Sequence, residues 1–125
     1  KPVEVPALPK KISYDDFAKV EIRAGKILSA EKIPDTDKLL KLSVDFAEEK
    51  PRQIVSGISM HFPDPATLVG KLCMFVTNLE PRMIKGYESN GMLFALSTNP
   101  TPENPTGHFS LLEPVSSIPA GTKAK

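Results

Sequence analysis

Between positions 40 and 46 the sequence LKLSVDF places an apolar residue at every second position, with Lys41, Ser43 and Asp45 in between. A period of two is that of a strand burying one face, and no other stretch of the chain shows it as clearly. Residues 20–28 predict an earlier strand, in which Gly25 marks a bulge where the chain can bend. Three more strands are expected over 53–58, 72–77 and 91–97, with a short terminal one over 109–112. Ser13 followed three residues later by Asp16 resembles a capping box, with Ile12 and Phe17 at the positions of a hydrophobic staple, and predicts a short helix over 14–19. Asp64, Pro65 and Gly70 sit where an N-cap, a first helical residue and a C′ residue belong, so 64–70 reads as a helical turn or two.

The expected architecture is therefore all-β. Five main strands, a short N-terminal helix and a short helix between the third and fourth strands match the five-stranded Greek-key barrel of the oligonucleotide/oligosaccharide-binding (OB) fold. Residues 1–11 carry three prolines and no periodic apolar face, the composition of a semi-rigid linker, and leave 12–125 as the single domain. Residues 98–108, also with three prolines, read as a loop, and 121–125 as a frayed end. The chain opens on Lys1 where an intact translation product opens on Met, which points to a piece of something longer.

Composition narrows the function. Sixteen basic residues against fifteen acidic ones give a net charge of +1, so the domain lacks the overall charge of a strong nucleic-acid binder, and any such binding is local. No apolar run is long enough to cross a bilayer, which fits a cytoplasmic protein with no membrane partner. The single cysteine, Cys73, lies in an apolar stretch and reads as a small core residue. There is no Gly-rich phosphate loop, no CxxC or HxxxH pair and no GxSxG elbow. His61 and His108 are far apart, and Asp35 and Asp37 lack the glycine and distal Glu of a calcium loop. The residues thus suggest no catalytic group, metal site or cofactor.

The segment NLEPRMIKGYESNGM, 78–92, joins two expected strands and is the place where function is expected to reside. Arg82 and Lys85 can donate to phosphate, Asn78 and Ser89 offer neutral donors, and Met92 offers a flexible apolar contact. Glu80 and Glu88 offset the two basic charges, so the composition is equally that of a solvated loop. Tyr87 could stack on one base. Lys32 and Lys38 are possible secondary contacts if the first strands flank the loop.

The chain resembles the tRNA-binding domain family over about 12–115, through ISYDDFAKVEIRAGKIL at 12–28, DKLLKLSVDF at 37–46, RQIVSGI at 52–58 and NLEPRMIKGYESNGM at 78–92. Members of that family occur as the C-terminal appendix of methionyl-tRNA synthetases, as free-standing proteins and in multisynthetase complexes. The resemblance implies recognition of tRNA by shape around its outer corner, with Asn78, Arg82, Ser89 and Met92 at tRNA-contacting positions and Lys85 adjoining them. It also implies a homodimer that uses elements outside the barrel, here Phe17 and Val20 on the helix and Leu111, Leu112 and Val115 near the end. The start of the chain looks most like the synthetase appendix, with the catalytic domain in cis. The alternative is a free-standing homodimeric chaperone of the same fold that holds export-bound polypeptides.

Overall fold

The computed structural model describes residues 10–125. The expected linker over 1–11 lies outside the described residues except for Lys10 and Lys11. In chain order, helix α1 (Tyr14–Ala18) is followed by strands β1 (Ile22–Lys32), β2 (Leu40–Asp45) and β3 (Arg52–Ser56). Two 3-10 turns, Ser59–His61 and Pro65–Leu68, precede β4 (Leu72–Val76). Five short strands follow: β5 (Arg82–Ile84), β6 (Tyr87–Ser89), β7 (Met92–Leu93), β8 (Ala95–Ser97) and β9 (Phe109–Leu111).

The main sheet has the order β3-β2-β1-β4-β7 and is antiparallel throughout. The first three strands form a meander, and β4 returns beside β1. The sheet curls until β3 meets the segment leading into β7, where the Asn90 amide donates to the Gln53 carbonyl at 2.8 Å. A nearly closed five-stranded barrel results, as in an OB fold. Its interior holds the alternate residues Leu40, Leu42 and Val44 of β2, as the period of two predicts, with Ile27, Phe46, Ile54, Cys73 and Phe75. Phe46 and Phe75 meet edge to face with centroids 5.2 Å apart. The predicted turn over 64–70 forms with Asp64 as its cap, and plugs the barrel with the fully buried Leu68. Burial pushes the Cys73 thiol up to about 11, consistent with an inert core residue.

Strand β1 serves two partners. Its first half, Ile22 to Lys26, pairs with β4, and its second half, Lys26 to Lys32, with β2. The register shift that bends it falls between Ile27 and Ser29, not at the expected Gly25. Gly25 has a different task, because a Cβ there would lie 2.5 Å from Phe46 and 2.6 Å from Val44. The strand is bare at that point so that core side chains can cross it.

The partner switch leaves the outer edge of β1 open at Ile22 and Ala24, and a buried backbone group there must find a partner. The C-terminal residues supply it. Gly121 donates to Ala24 at 2.7 Å, Ala24 to Thr122 at 2.9 Å and Ala124 to Ile22 at 2.8 Å, so the end expected to fray is pinned to the barrel. Likewise the proline-rich stretch 98–108 is the head of the β8–β9 hairpin, closed by the Thr98 amide donating to the His108 carbonyl. The expected strand over 91–97 is divided between β7, on the barrel, and β8, in this hairpin. No helix among the described residues is long and apolar enough to cross a membrane.

Replacing Gly25 by Ala forces Phe46 and Val44 to move and is expected to cost about 1–3 kcal/mol of stability. Gly57→Ala, where a Cβ meets nothing within 4 Å, is the control. Denaturant midpoints that coincide for the two variants would refute this packing.

Candidate nucleic-acid interface

The polar segment 78–92 is not an open loop. It contains the β5–β6 hairpin, in which Arg82 faces Ser89, Met83 faces Glu88 and Ile84 faces Tyr87 across a two-residue turn. Lys85 and Gly86 form that turn with φ of 52° and 84°. Both angles are positive, as a type I′ turn requires, and its twist matches that of the strands. Glycine takes this conformation freely, while lysine adopts it at some cost. The turn therefore holds the Lys85 ammonium at the tip of a defined ribbon.

Alternation places Arg82, Ile84, Tyr87 and Ser89 on one face of the ribbon and Met83 and Glu88 on the other. Arg82 and Lys85 are exposed, and neither is in an ion pair among the described residues. Glu80 and Glu88 thus do not neutralise them by contact. Tyr87 is half-buried, with the Lys41 ammonium 5.2 Å from its ring centre, which packs the ribbon over the outer face of β2 and β3. Val55, on that outer face by alternation with Ile54, is consequently buried. Met92 lies on β7 opposite Val76 and is half exposed.

Ser89, expected as a contact, is turned into the fold. It is only 5% exposed; its Oγ accepts from the Val55 amide at 3.0 Å and donates to the Gly91 carbonyl at 3.3 Å. The hydroxyl docks the ribbon on β3, and both its donor and an acceptor site are spent inside the fold. Asn78 is exposed, yet both ends of its amide are engaged. Its Oδ1 accepts from the Glu21 amide at 2.7 Å and its Nδ2 donates to the Lys19 carbonyl at 2.5 Å.

Of the secondary candidates, Lys32 is opposite Leu40, and Leu40 opposite Ser56, at the end of the sheet toward which the ribbon tip points. Lys38 is exposed in the adjoining turn, where its carbonyl accepts from the Ser59 amide at 3.1 Å. Sequence alone does not single out Lys41, although alternation places it on the outer face. Gln53, equally unmarked, faces outward beside it and donates to the Glu88 carbonyl at 3.0 Å. A groove of about 390 Å³ lined by Lys41, Ser43, Lys50 and Gln53 runs along this face. Another cleft, of about 640 Å³, carries Glu48, Glu49 and Glu88 against Lys50 and Arg52, and Arg52 is already held by Glu48 at 2.7 Å. That charge is unsuited to phosphate.

The expected dimer residues do not form one group. Leu111 is buried at 8% exposure because its side chain packs into the hydrophobic core, which leaves it little surface to offer a partner. Leu112 is half-buried, while Phe17, Val20 and Val115 are exposed. Helix α1 buries none of its own residues, and with Val20 and Ile22 it frames a groove against the C-terminal Ala124. His61 stacks on the Phe109 ring at 3.9 Å, a packing role.

A network of charges sets the junction between α1 and β1. The Arg23 guanidinium, followed by the Thr77 hydroxyl, holds the Glu21 carboxyl below the usual carboxylate range. Arg52 does the same to Glu48.

Residues 22–123 match the family described as "Putative tRNA binding domain". The chain belongs to the tRNA-binding domain family. A methionine–tRNA ligase of Methanospirillum hungatei is 49% identical to this tRNA-binding domain over 92% of the chain. The domain spans only 16% of that relative's length. Among solved structures, a protein of Pyrococcus horikoshii related to methionyl-tRNA synthetase is 36% identical, with a TM-score of 0.77, 94% of this chain and all of that one being covered. A chaperone, CsaA, of Bacillus anthracis is 26% identical with a TM-score of 0.74, over 93% of this chain and all of that one.

Ser89→Ala leaves the buried Val55 amide without its acceptor and is expected to cost about 1–3 kcal/mol, read from the denaturant midpoint. An unchanged midpoint would dismiss the latch. Since the folded pKa of Glu21 is depressed, its contribution is present above the unfolded value and is lost as pH falls through the folded one. Glu21→Gln should therefore flatten the acid limb of the stability profile while lowering stability at neutral pH; parallel profiles for the two proteins would contradict this.

Proposed function

We propose that this domain binds tRNA through the β5–β6 hairpin, gripping the outside of the folded RNA while aminoacylation takes place in another domain of the same polypeptide. The observation that carries the reading is the placement of Arg82 and Lys85. Both are exposed, both lack an ion-pair partner among the described residues, and both stand on a ribbon whose backbone is fixed by the barrel. A guanidinium takes phosphate oxygens in pairs and an ammonium as a point charge. Met92 adds an apolar contact for a sugar or base, and Lys32 and Lys38 extend the basic surface at the ribbon tip. Aromatic side chains are few, six Phe and two Tyr with no Trp, so single-strand stacking is a minor mode and Tyr87 is its candidate on the ribbon.

The parent is a methionine–tRNA ligase with this domain as its C-terminal appendix, working in the cytoplasm. The 49% identity to such a ligase supports it. A domain of net charge +1 neutralises few phosphates and binds weakly alone. A second copy makes the next contact intramolecular and multiplies retention. The exposed Phe17 and Val20 at α1, with Val115, are the residues for that pairing. The chaperone reading draws on the CsaA likeness and on the exposed Tyr14 and Phe17. Retention of a denatured polypeptide but not of bulk tRNA would favour it.

Arg82→Ala combined with Lys85→Ala is expected to weaken tRNA binding and to reduce the slope of log affinity against log salt by up to about 2, about one for each phosphate no longer neutralised. Thermal unfolding should be unchanged, since both side chains are exposed. Identical gel-shift affinities across a salt series would end this reading.

A further inference from the structure

The ribbon leaves the barrel on one leg and returns on the other. The return leg is secured to β3 by three hydrogen bonds, from Val55 to the Ser89 hydroxyl, from Asn90 to Gln53, and from the Gln53 side chain to Glu88. On the outgoing leg, Leu79, Glu80 and Pro81 are exposed and make no backbone–backbone hydrogen bond among the described residues. The last fixed point before Arg82 is Asn78. Its amide bridges the Lys19 carbonyl and the Glu21 amide. The same junction is braced by the Thr77 amide donating to the Glu21 carbonyl at 2.8 Å and by the Thr77 hydroxyl donating to the Glu21 carboxylate at 2.7 Å.

We propose that Asn78 is a positioning residue: it ties the outgoing leg of the ribbon to the junction of α1 and β1 and so sets where Arg82 stands, without itself contacting RNA. This rests on the reading of the ribbon as the tRNA-binding element. It differs from the role that family resemblance gives Asn78, because both ends of its amide are already bonded to the junction of α1 and β1. One Nδ2 hydrogen remains free, and experiment separates the two roles.

A neutral contact and a positioning strut differ in two measurable ways. Removing a neutral contact lowers affinity at every salt concentration and leaves the salt slope unchanged, whereas displacing Arg82 frees a phosphate and flattens it. Effects exerted through Arg82 also vanish once Arg82 is absent. Asn78→Ala, Arg82→Ala and the double variant are compared in the full chain by gel shift with unfractionated tRNA across a salt series. Asn78→Ala is expected to lose about two- to tenfold in affinity, as the net energy of a hydrogen bond allows, to flatten the slope, and to add nothing in the Arg82→Ala background. Asn78→Asp, which retains the acceptor for Glu21 but sets a carboxylate oxygen against the Lys19 carbonyl, should lose at least as much. It also serves where Asn78→Ala unfolds. Additive losses, or a loss with an unchanged slope, would overturn the strut. If Arg82→Ala alone changes nothing, the ribbon is not the RNA element, and the proposal falls with that reading.

Discussion

Closing a five-stranded barrel requires that β3 find a partner on its outer edge, and this seam governs where everything else can stand. An edge of unpaired amides and carbonyls is costly, and a short strand such as β7, Met92–Leu93, is too small to cover it alone. The seam is completed instead by a mixed set of bonds. One is backbone to backbone, one uses the Gln53 side chain, and one uses a serine hydroxyl as the acceptor that a carbonyl would otherwise supply. Because those partners lie on or just after the β5–β6 ribbon, closing the barrel also fixes the ribbon. Stability and the placement of the ribbon's return leg are consequences of one set of hydrogen bonds.

This coupling governs how a near-neutral domain presents its charges. With basic and acidic residues almost balanced, long-range attraction is small, and local geometry has to compensate. Ion pairing on the barrel contributes by sorting the charges. Glu21 is occupied by Arg23, Glu48 by Arg52, Glu31 by Lys41 and Glu113 by Lys71. Carboxylates held this way repel an approaching phosphate less than free ones would. The more exposed pairs, Glu31 with Lys41 and Glu113 with Lys71, add little stability, so their effect on the surface potential is the more consequential one.

Much of the fold was legible in the sequence because burial imposes a period. The Leu40, Leu42, Val44 alternation identified β2, and Asp64-Pro65 identified the turn that delivers Leu68. Features made by backbone pairing alone left no such trace. Nothing in Gly121 to Lys125 is periodic, since that segment is held through its amides and carbonyls to a strand edge that exists only because β1 changes partner. The bulge was misplaced for a related reason: a glycine in a strand signals either a bend or a close approach, and only the position of Phe46 decides between them. The ribbon within 78–92 was hidden by its turn. Lys-Gly is a less obvious hairpin signal than Asn-Gly, and its strands are three residues each.

The candidate site was legible as a segment, but the placement of its side chains was not. Polar residues clustered in one motif look alike in sequence, whether they face solvent or the fold. Here they divide. Arg82 and Lys85 have long charged side chains that are costly to bury and so remain outside, whereas Ser89 and Asn78 are short enough to satisfy backbone groups of the strands and turns beside them. A single motif can therefore contain both groups that stay exposed and groups that are spent on holding the backbone. Preorganisation makes the second kind as important as the first, because a ribbon ordered before binding does not lose that entropy on binding. For a weakly charged domain, a saving of that kind offsets part of the affinity that long-range attraction does not supply.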